Sequence, residues 1–135
     1  MGRTVIRLLD TNICMHIINQ RPPQVAAHFE GLVYGDVAVS SITGAELAFG
    51  VAKSGSARNQ DALEKFLAPL EVLPFDAAAM YAYGTLRAEL QARGQPIGAL
   101  DMLIAAHALA LGATLVTNNL AEFARVPDLA CENWV

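Results

Sequence analysis

The sequence predicts a three-layer α/β/α sandwich built on a four- to five-stranded parallel sheet. Three observations carry that prediction. Short runs rich in apolar and β-branched residues, "VIRLL" (5–9), "VAVSS" (37–41), "VLPF" (72–75) and "TLVT" (114–117), recur along the chain. Segments of helical periodicity separate them, and that alternation requires parallel strands joined by right-handed crossovers. The length of 135 residues, with 54% hydrophobic and 16% charged, suits one domain over 1–135. A chain of that size buries about two thirds of its unfolded surface and needs no staple.

Each element has its own signal. "VIRLL" is a strand, and a helix over 11–19 follows it until "RPP" (21–23) stops it. A short helix over 24–31 sets Val25, Phe29 and Leu32 on one side. After the strand at 37–41, a helix begins near Thr43 and runs through "ELAFGVAK". "SGSARN" (54–59) reads as a turn, then a helix over 60–68 ends at Pro69. Asp76 is placed to cap a helix over 77–93, whose Met80, Tyr83, Leu86 and Leu90 recur at helical spacing. Gly94 supplies the stop. "GALDMLIAAHALALG" (98–112) is apolar almost all round, so this helix is buried between layers. "LACENW" (129–134) is a fifth strand at an edge.

Composition narrows the function. No stretch has the apolar h-region of a signal peptide or the roughly 18 uncharged apolar residues of a membrane span. Cys14 and Cys131 stand in no metal-ligand spacing and read as reduced thiols of a cytoplasmic protein. A net charge of −4 argues against a broad basic surface for nucleic acid.

The carboxylates refine that point. In open parallel sheets ligands bind outside the carboxyl ends of the strands. Asp10 follows the first strand directly. Glu46 falls in the first turn of the helix after the second strand. Thr117, Asn118 and Asn119 follow the fourth strand, and Asp101 opens the buried helix before it. That helix runs antiparallel to the strands, so its start lies at the same sheet edge. Three carboxylates ~4–6 Å apart repel at roughly 3–4 kcal/mol per pair for an effective dielectric near 20. A divalent cation would offset this, and an all-oxygen set selects Mg²⁺ or Mn²⁺, ions that pair with phosphates. A loaded site would attract phosphate even on an acidic protein.

Plainer roles exist for the same residues. Asp10 would serve as a helix cap. "TGAE" (43–46) fits a capping box with Glu46 at its third helical position. Asn118 and Asn119 suit a turn and a cap. Asp101 has the weakest such alternative, because its helix offers almost no polar group to share its burial. His16, His28 and His107 show no ligand spacing, and His107 reads as a core or interface histidine.

Taken together, "LLDTN", "SSITGAELAFG", "PIGALDMLIAAHALALGATLVTNN" and "EFARVPDL" resemble the PIN-domain ribonucleases, specifically the VapC-type toxins of bacterial toxin–antitoxin pairs. The resemblance spans nearly the whole chain in order. It implies that Asp10, Glu46 and Asp101 form the acidic metal-binding set, with a fourth position at Asn118, Asn119 or Glu122. It also implies that Thr11 and Thr117 hydrogen-bond substrate or orient a carboxylate. The implied reaction is Mg²⁺-dependent (or Mn²⁺-dependent) endonucleolytic hydrolysis of structured RNA, a tRNA or a ribosomal RNA loop. Asp10 and Asp101 would share the metal, and Glu46 would hold it or a second one, or orient the attacking water.

Further implications concern partners: a cognate antitoxin laying a disordered arm over the helices at 11–19 and 43–68, contact with DNA only through that antitoxin, and a homodimer within a larger complex. Two other acid-gathering classes fit poorly. A response-regulator phosphoacceptor needs an acidic pair after the first strand and a late lysine, and no lysine follows Lys65. A dehalogenase-like phosphatase needs Asp at position 12, which is Asn. A catalytically silent PIN domain that binds RNA or protein is the remaining alternative.

Overall fold

The computed structural model describes residues 6–31 and 34–135. The expected positions Val5 and Leu32 lie outside them. Five strands, β1 (Arg7–Leu9), β2 (Val37–Ser40), β3 (Glu71–Leu73), β4 (Thr114–Val116) and β5 (Cys131–Glu132), form one sheet in the order β3-β2-β1-β4-β5. Every pairing is parallel. The helices are α1 (Thr11–Asn19), α2 (Pro23–Glu30), α3 (Ser41–Ser54), α4 (Ala57–Leu67), α5 (Ala77–Ala92), α6 (Ala99–Leu111) and α7 (Leu120–Phe123).

Alternation along each strand divides the core in two. Leu8, Ala38 and Leu115 face one side and pack with Leu86 and Leu90 of α5 and Ile104 and Ala105 of α6. Leu9, Val37, Val39 and Val116 face the other and pack with Ile13, Val25, Leu63 and Phe66. The predicted three layers are therefore present, with α5 and α6 on one face and α1, α2 and α4 on the other. Near-continuous apolar strands follow from this, since both faces are covered.

Local chemistry moves several boundaries. Ser40 rather than a later residue caps α3, its Oγ accepting from the Ile42 N–H at 3.1 Å, so the helix starts at Ser41. Ser56 caps α4 through the Asn59 N–H, and the turn before it shrinks accordingly. β3 ends at Leu73, and the Phe75 N–H goes to Ser41 Oγ instead of the ladder. On α5 the inward stripe is Ala79, Tyr83, Leu86 and Leu90; Met80, one residue off it, is 51% exposed. α7 follows Asn119 at its N-cap position, although the Asn119 side chain makes no capping bond. β5 spans two residues rather than the expected six, and Trp134 beyond it inserts into the core.

The chain builds β1, β2 and β3 outward in one direction, then returns to place β4 and β5 on the opposite side of β1. The strand order reverses between β1 and β4. In open α/β sheets the crevice at such a reversal is where ligands bind.

Candidate active site

Asp10 stands at that reversal. Its backbone N–H continues the ladder by donating to the Val116 carbonyl at 3.0 Å, which seats it over the β1–β4 seam. Its side chain caps α1 by accepting from the Ile13 N–H at 2.8 Å. The capping role is therefore present, yet it uses one oxygen of a carboxylate only 4% exposed. Burial raises the Asp10 pKa, while the Thr117 hydroxyl, the Ile13 N–H and the nearby His16 act in the opposite direction.

Glu46 lies in the second turn of α3, not the first, because the helix starts at Ser41. The capping box therefore does not form. Glu46 instead accepts a 2.6 Å hydrogen bond from Thr11 Oγ1, across 35 residues of sequence. That bond ties the residue next to Asp10 to a second carboxylate.

Asp101 occupies the first turn of α6, where the helix N-terminus favours negative charge. Its pKa is nevertheless raised to about 6, first by burial, then by the charge of Glu122 and a hydrogen bond to it, then by Asp10 and Glu46. Glu122 moves the other way: the Gly98 N–H donates to its Oε1 at 2.7 Å, and Asn119 Nδ2 donates to its Oε2 at 2.8 Å. Arg125 lies close enough to add to this. Below about pH 6 it is Asp101, not Glu122, that carries the proton of the pair.

The corner after β4 separates the remaining expectations. Thr117 is fully buried, and its Oγ1 accepts from the Asn119 N–H at 3.0 Å. Asn119 serves Glu122. Asn118 is exposed and takes no part in this network. Of the three candidates, Glu122 of α7 is the one the structure brings beside Asp101. Gly98 borders the same place: a Cβ there would sit 3.5 Å from both Asp101 Oδ2 and Glu122 Oε1. Neither Gly98 nor His16 announces its position in the sequence.

Four carboxylates from different parts of the chain thus converge electrostatically on one sheet edge. Among the described residues, no three acidic, histidine or cysteine side chains close on a single point tightly enough to hold an ion by themselves. A small hard cation takes one or two carboxylates and keeps several waters. The all-oxygen donors, and the repulsion visible in Asp101, fit such an ion.

An apolar groove adjoins the acids. Thr11, Met15, Glu46, Leu47, Gly50 and Leu63 are among its lining residues, and its volume is about 300 Å³.

The PIN domain family model matches residues 7–129. The chain is 48% identical over 132 residues to ribonuclease VapC2 of Rickettsia felis, covering 96% of this chain and 98% of that one. It is 43% identical over 128 residues to the tRNA(fMet)-specific endonuclease VapC of Shigella flexneri, covering 94% and 96%. The fold matches the crystal structure of VapBC2 from Rickettsia felis bound to promoter DNA, with a TM-score of 0.88 at 46% identity over 97% of this chain and 100% of the other. It also matches DNA-bound VapBC from Salmonella typhimurium, with a TM-score of 0.90 at 39% identity over 98% and 100%.

Proposed function

The chain belongs to the PIN-domain family of nucleases, in its VapC branch, and from that premise we propose that it is a single-domain, Mg²⁺-dependent endoribonuclease, the toxin of a type II toxin–antitoxin pair. Its substrate is structured RNA, a tRNA or a ribosomal RNA loop, whose splayed backbone can enter a recessed acidic site. The observation that carries this reading is the convergence of Asp10, Glu46, Asp101 and Glu122 from separate parts of the chain at the β1–β4 reversal, where the charges of the other three add to the burial that raises the Asp101 pKa to about 6.

Asp10, Asp101 and Glu46 would hold the metal, with Glu122 as a further carboxylate beside Asp101. When bound, a divalent cation of this kind polarises a phosphoryl oxygen and lowers the pKa of its water. The chain's own residues set the geometry. Thr117 and the Ile13 N–H keep Asp10 aimed and oppose the rise that burial causes in its pKa. Thr11 fixes the Glu46 carboxylate, leaving its second oxygen to orient the attacking water. The Gly98 N–H and Asn119 hold Glu122 in place and favour its ionised form, so the proton that Asp101 carries below about pH 6 leaves to solvent.

Partners follow from the same premise. A cognate antitoxin lays an apolar arm into the groove between α1, α3 and α4, and DNA is contacted only through it. Both structural matches above are toxin–antitoxin complexes with DNA. The toxin acts in the cytoplasm and forms a homodimer within the larger complex. No helix among the described residues is long and apolar enough to cross a membrane.

The test is cleavage of total tRNA and rRNA by the purified chain with Mg²⁺, Mn²⁺ or EDTA, beside Asp10→Asn. Discrete fragments lost with chelator, and at least about 100-fold slower in the variant, are expected. Intact RNA in every lane, from folded protein, would favour a silent binding module instead.

A further inference from the structure

His107 has no part in the site described above, yet its placement is hard to explain as packing alone. It is 1% exposed on α6, two turns after Asp101. Its Nδ1 lies 2.8 Å from Ser40 Oγ, across 67 residues of sequence. Ser40 is the last residue of β2 and the cap of α3, the helix that carries Glu46. One buried hydrogen bond therefore joins the helix bearing Asp101 to the origin of the helix bearing Glu46.

The surroundings give that bond its meaning. Around His107, α6 presents Ala105, Ala106 and Ala108, all fully buried. A surface of small side chains has few knobs, and apolar attraction is non-directional, so such a helix resists sliding poorly. A hydrogen bond is directional and short-ranged, and a single buried polar pair can set register between packed helices. Both partners of this one are pinned. Ser40 Oγ is held from its own helix by the Ile42 N–H, and the imidazole meets the edge of Phe75 at 5.5 Å and 75°. Phe75 in turn is tied to the first turn of α3 through Ser41 Oγ at 3.0 Å. Burial lowers the His107 pKa, with Asp76 opposing, so the ring serves as a neutral partner.

We propose that His107 is a positioning residue: through its buried hydrogen bond to Ser40 it locks α6 against the start of α3 and so fixes Glu46 relative to Asp101. The proposal rests on reading those acids as the metal-holding set of a ribonuclease. An apolar residue of similar bulk would fill the same space but leave the two helices without their directional link.

The full-length chain is tested as wild type, His107→Leu, His107→Asn, Ser40→Ala and the Leu/Ala double variant. Three quantities are read for each: melting temperature, Mn²⁺ affinity by calorimetry, and kcat with apparent KM on total tRNA. His107→Leu should melt as a folded protein with KM within about twofold of wild type, while kcat and Mn²⁺ affinity each fall about tenfold or more, since small misplacements of reacting groups are costly. His107→Asn, whose amide can occupy the place of Nδ1, should recover most of both. The double variant should lose no more kcat than the worse single one, because one bond is removed once. A folded His107→Leu with wild-type kcat and Mn²⁺ affinity would overturn the proposal, as would additive losses or no recovery with Asn. Should His107→Leu fail to fold, His107→Met against His107→Asn decides: a fall in the former alone supports the link, equal values sink it. A wild-type chain that neither binds Mn²⁺ nor cuts tRNA would instead remove the nuclease reading beneath it.

Discussion

Asp101 and Glu122 behave as one unit, and their chemistry makes a signed prediction. The folded-state pKa of Asp101, about 6, lies above its ordinary 3.8, so the folded form binds that proton more tightly than the unfolded chain does. Its contribution to metal-free stability is complete below about pH 4 and is lost as pH rises through 6. Melting of the chelated protein should therefore weaken across that window, and Mn²⁺ should restore stability chiefly above it, where the carboxyl is free to ligate. A metal-induced rise in melting temperature as large at pH 5 as at pH 7 would contradict this. Thr43 offers a second test. Its Oγ1 is buried without a hydrogen-bond partner, a state that costs about 1–3 kcal/mol. Thr43→Val, nearly isosteric, should stabilise the chain by about 1 kcal/mol, a rise of about 3–5 °C in melting temperature for a domain of this size. At this scale the sequence exposed Asp10, Glu46 and Asp101 through their places after strands and at a helix start. It left the fourth acid open among three residues, because which of Asn118, Asn119 and Glu122 turns inward depends on the path of the corner after β4.

Among the elements, α3 shows most plainly why local signals mislead. "TGAE" satisfies the pattern of a capping box, but Ser40 sits earlier, already in extended backbone at the end of β2, and captures the Ile42 N–H. The helix begins sooner, and Glu46 is carried on to face Thr11. Both readings were available to the residues, and the strand's position chose between them. Met80 erred similarly. Its spacing from Tyr83 and Leu90 is helical, yet Ala79 occupies the inward place and is fully buried, while Met80 points to solvent. Further along α3, Gly50 lines the groove beside the acids, and a Cβ there would meet nothing within 4 Å. Gly50→Met should raise the stability of the free chain by up to about 1 kcal/mol, since glycine is a poor helix former. It should leave RNA cleavage intact while weakening antitoxin binding, because the side chain fills the space the arm would enter. Co-purification and cleavage assays on the same variant separate those effects.

For the whole molecule, the β4 side of the sheet is finished by the C-terminus. β5 supplies only two residues of pairing, but Trp134 beside it is 2% exposed, stacks on His28 at 5.5 Å, and donates to Glu132, which also pairs with Arg7 of β1. Trp134→Ala should cost about 3–5 kcal/mol in urea unfolding. Because the Thr117 N–H donates to the Glu132 carbonyl, the loss should also loosen the residue that steadies Asp10. The sequence by itself determined the layered α/β/α class, the alternation of elements and the parallel sheet, and it singled out Asp10, Glu46 and Asp101 as candidates at one sheet edge. These follow from hydrophobic period, strand-forming runs and turn residues, which act over a few positions and are written locally. The tertiary structure alone decided the strand order, the reversal between β1 and β4, the recruitment of Glu122 and the joining of His107 to Ser40. Those depend on which surfaces meet across tens of residues, and burial and charge at such meetings are properties of the packed molecule that no local stretch contains.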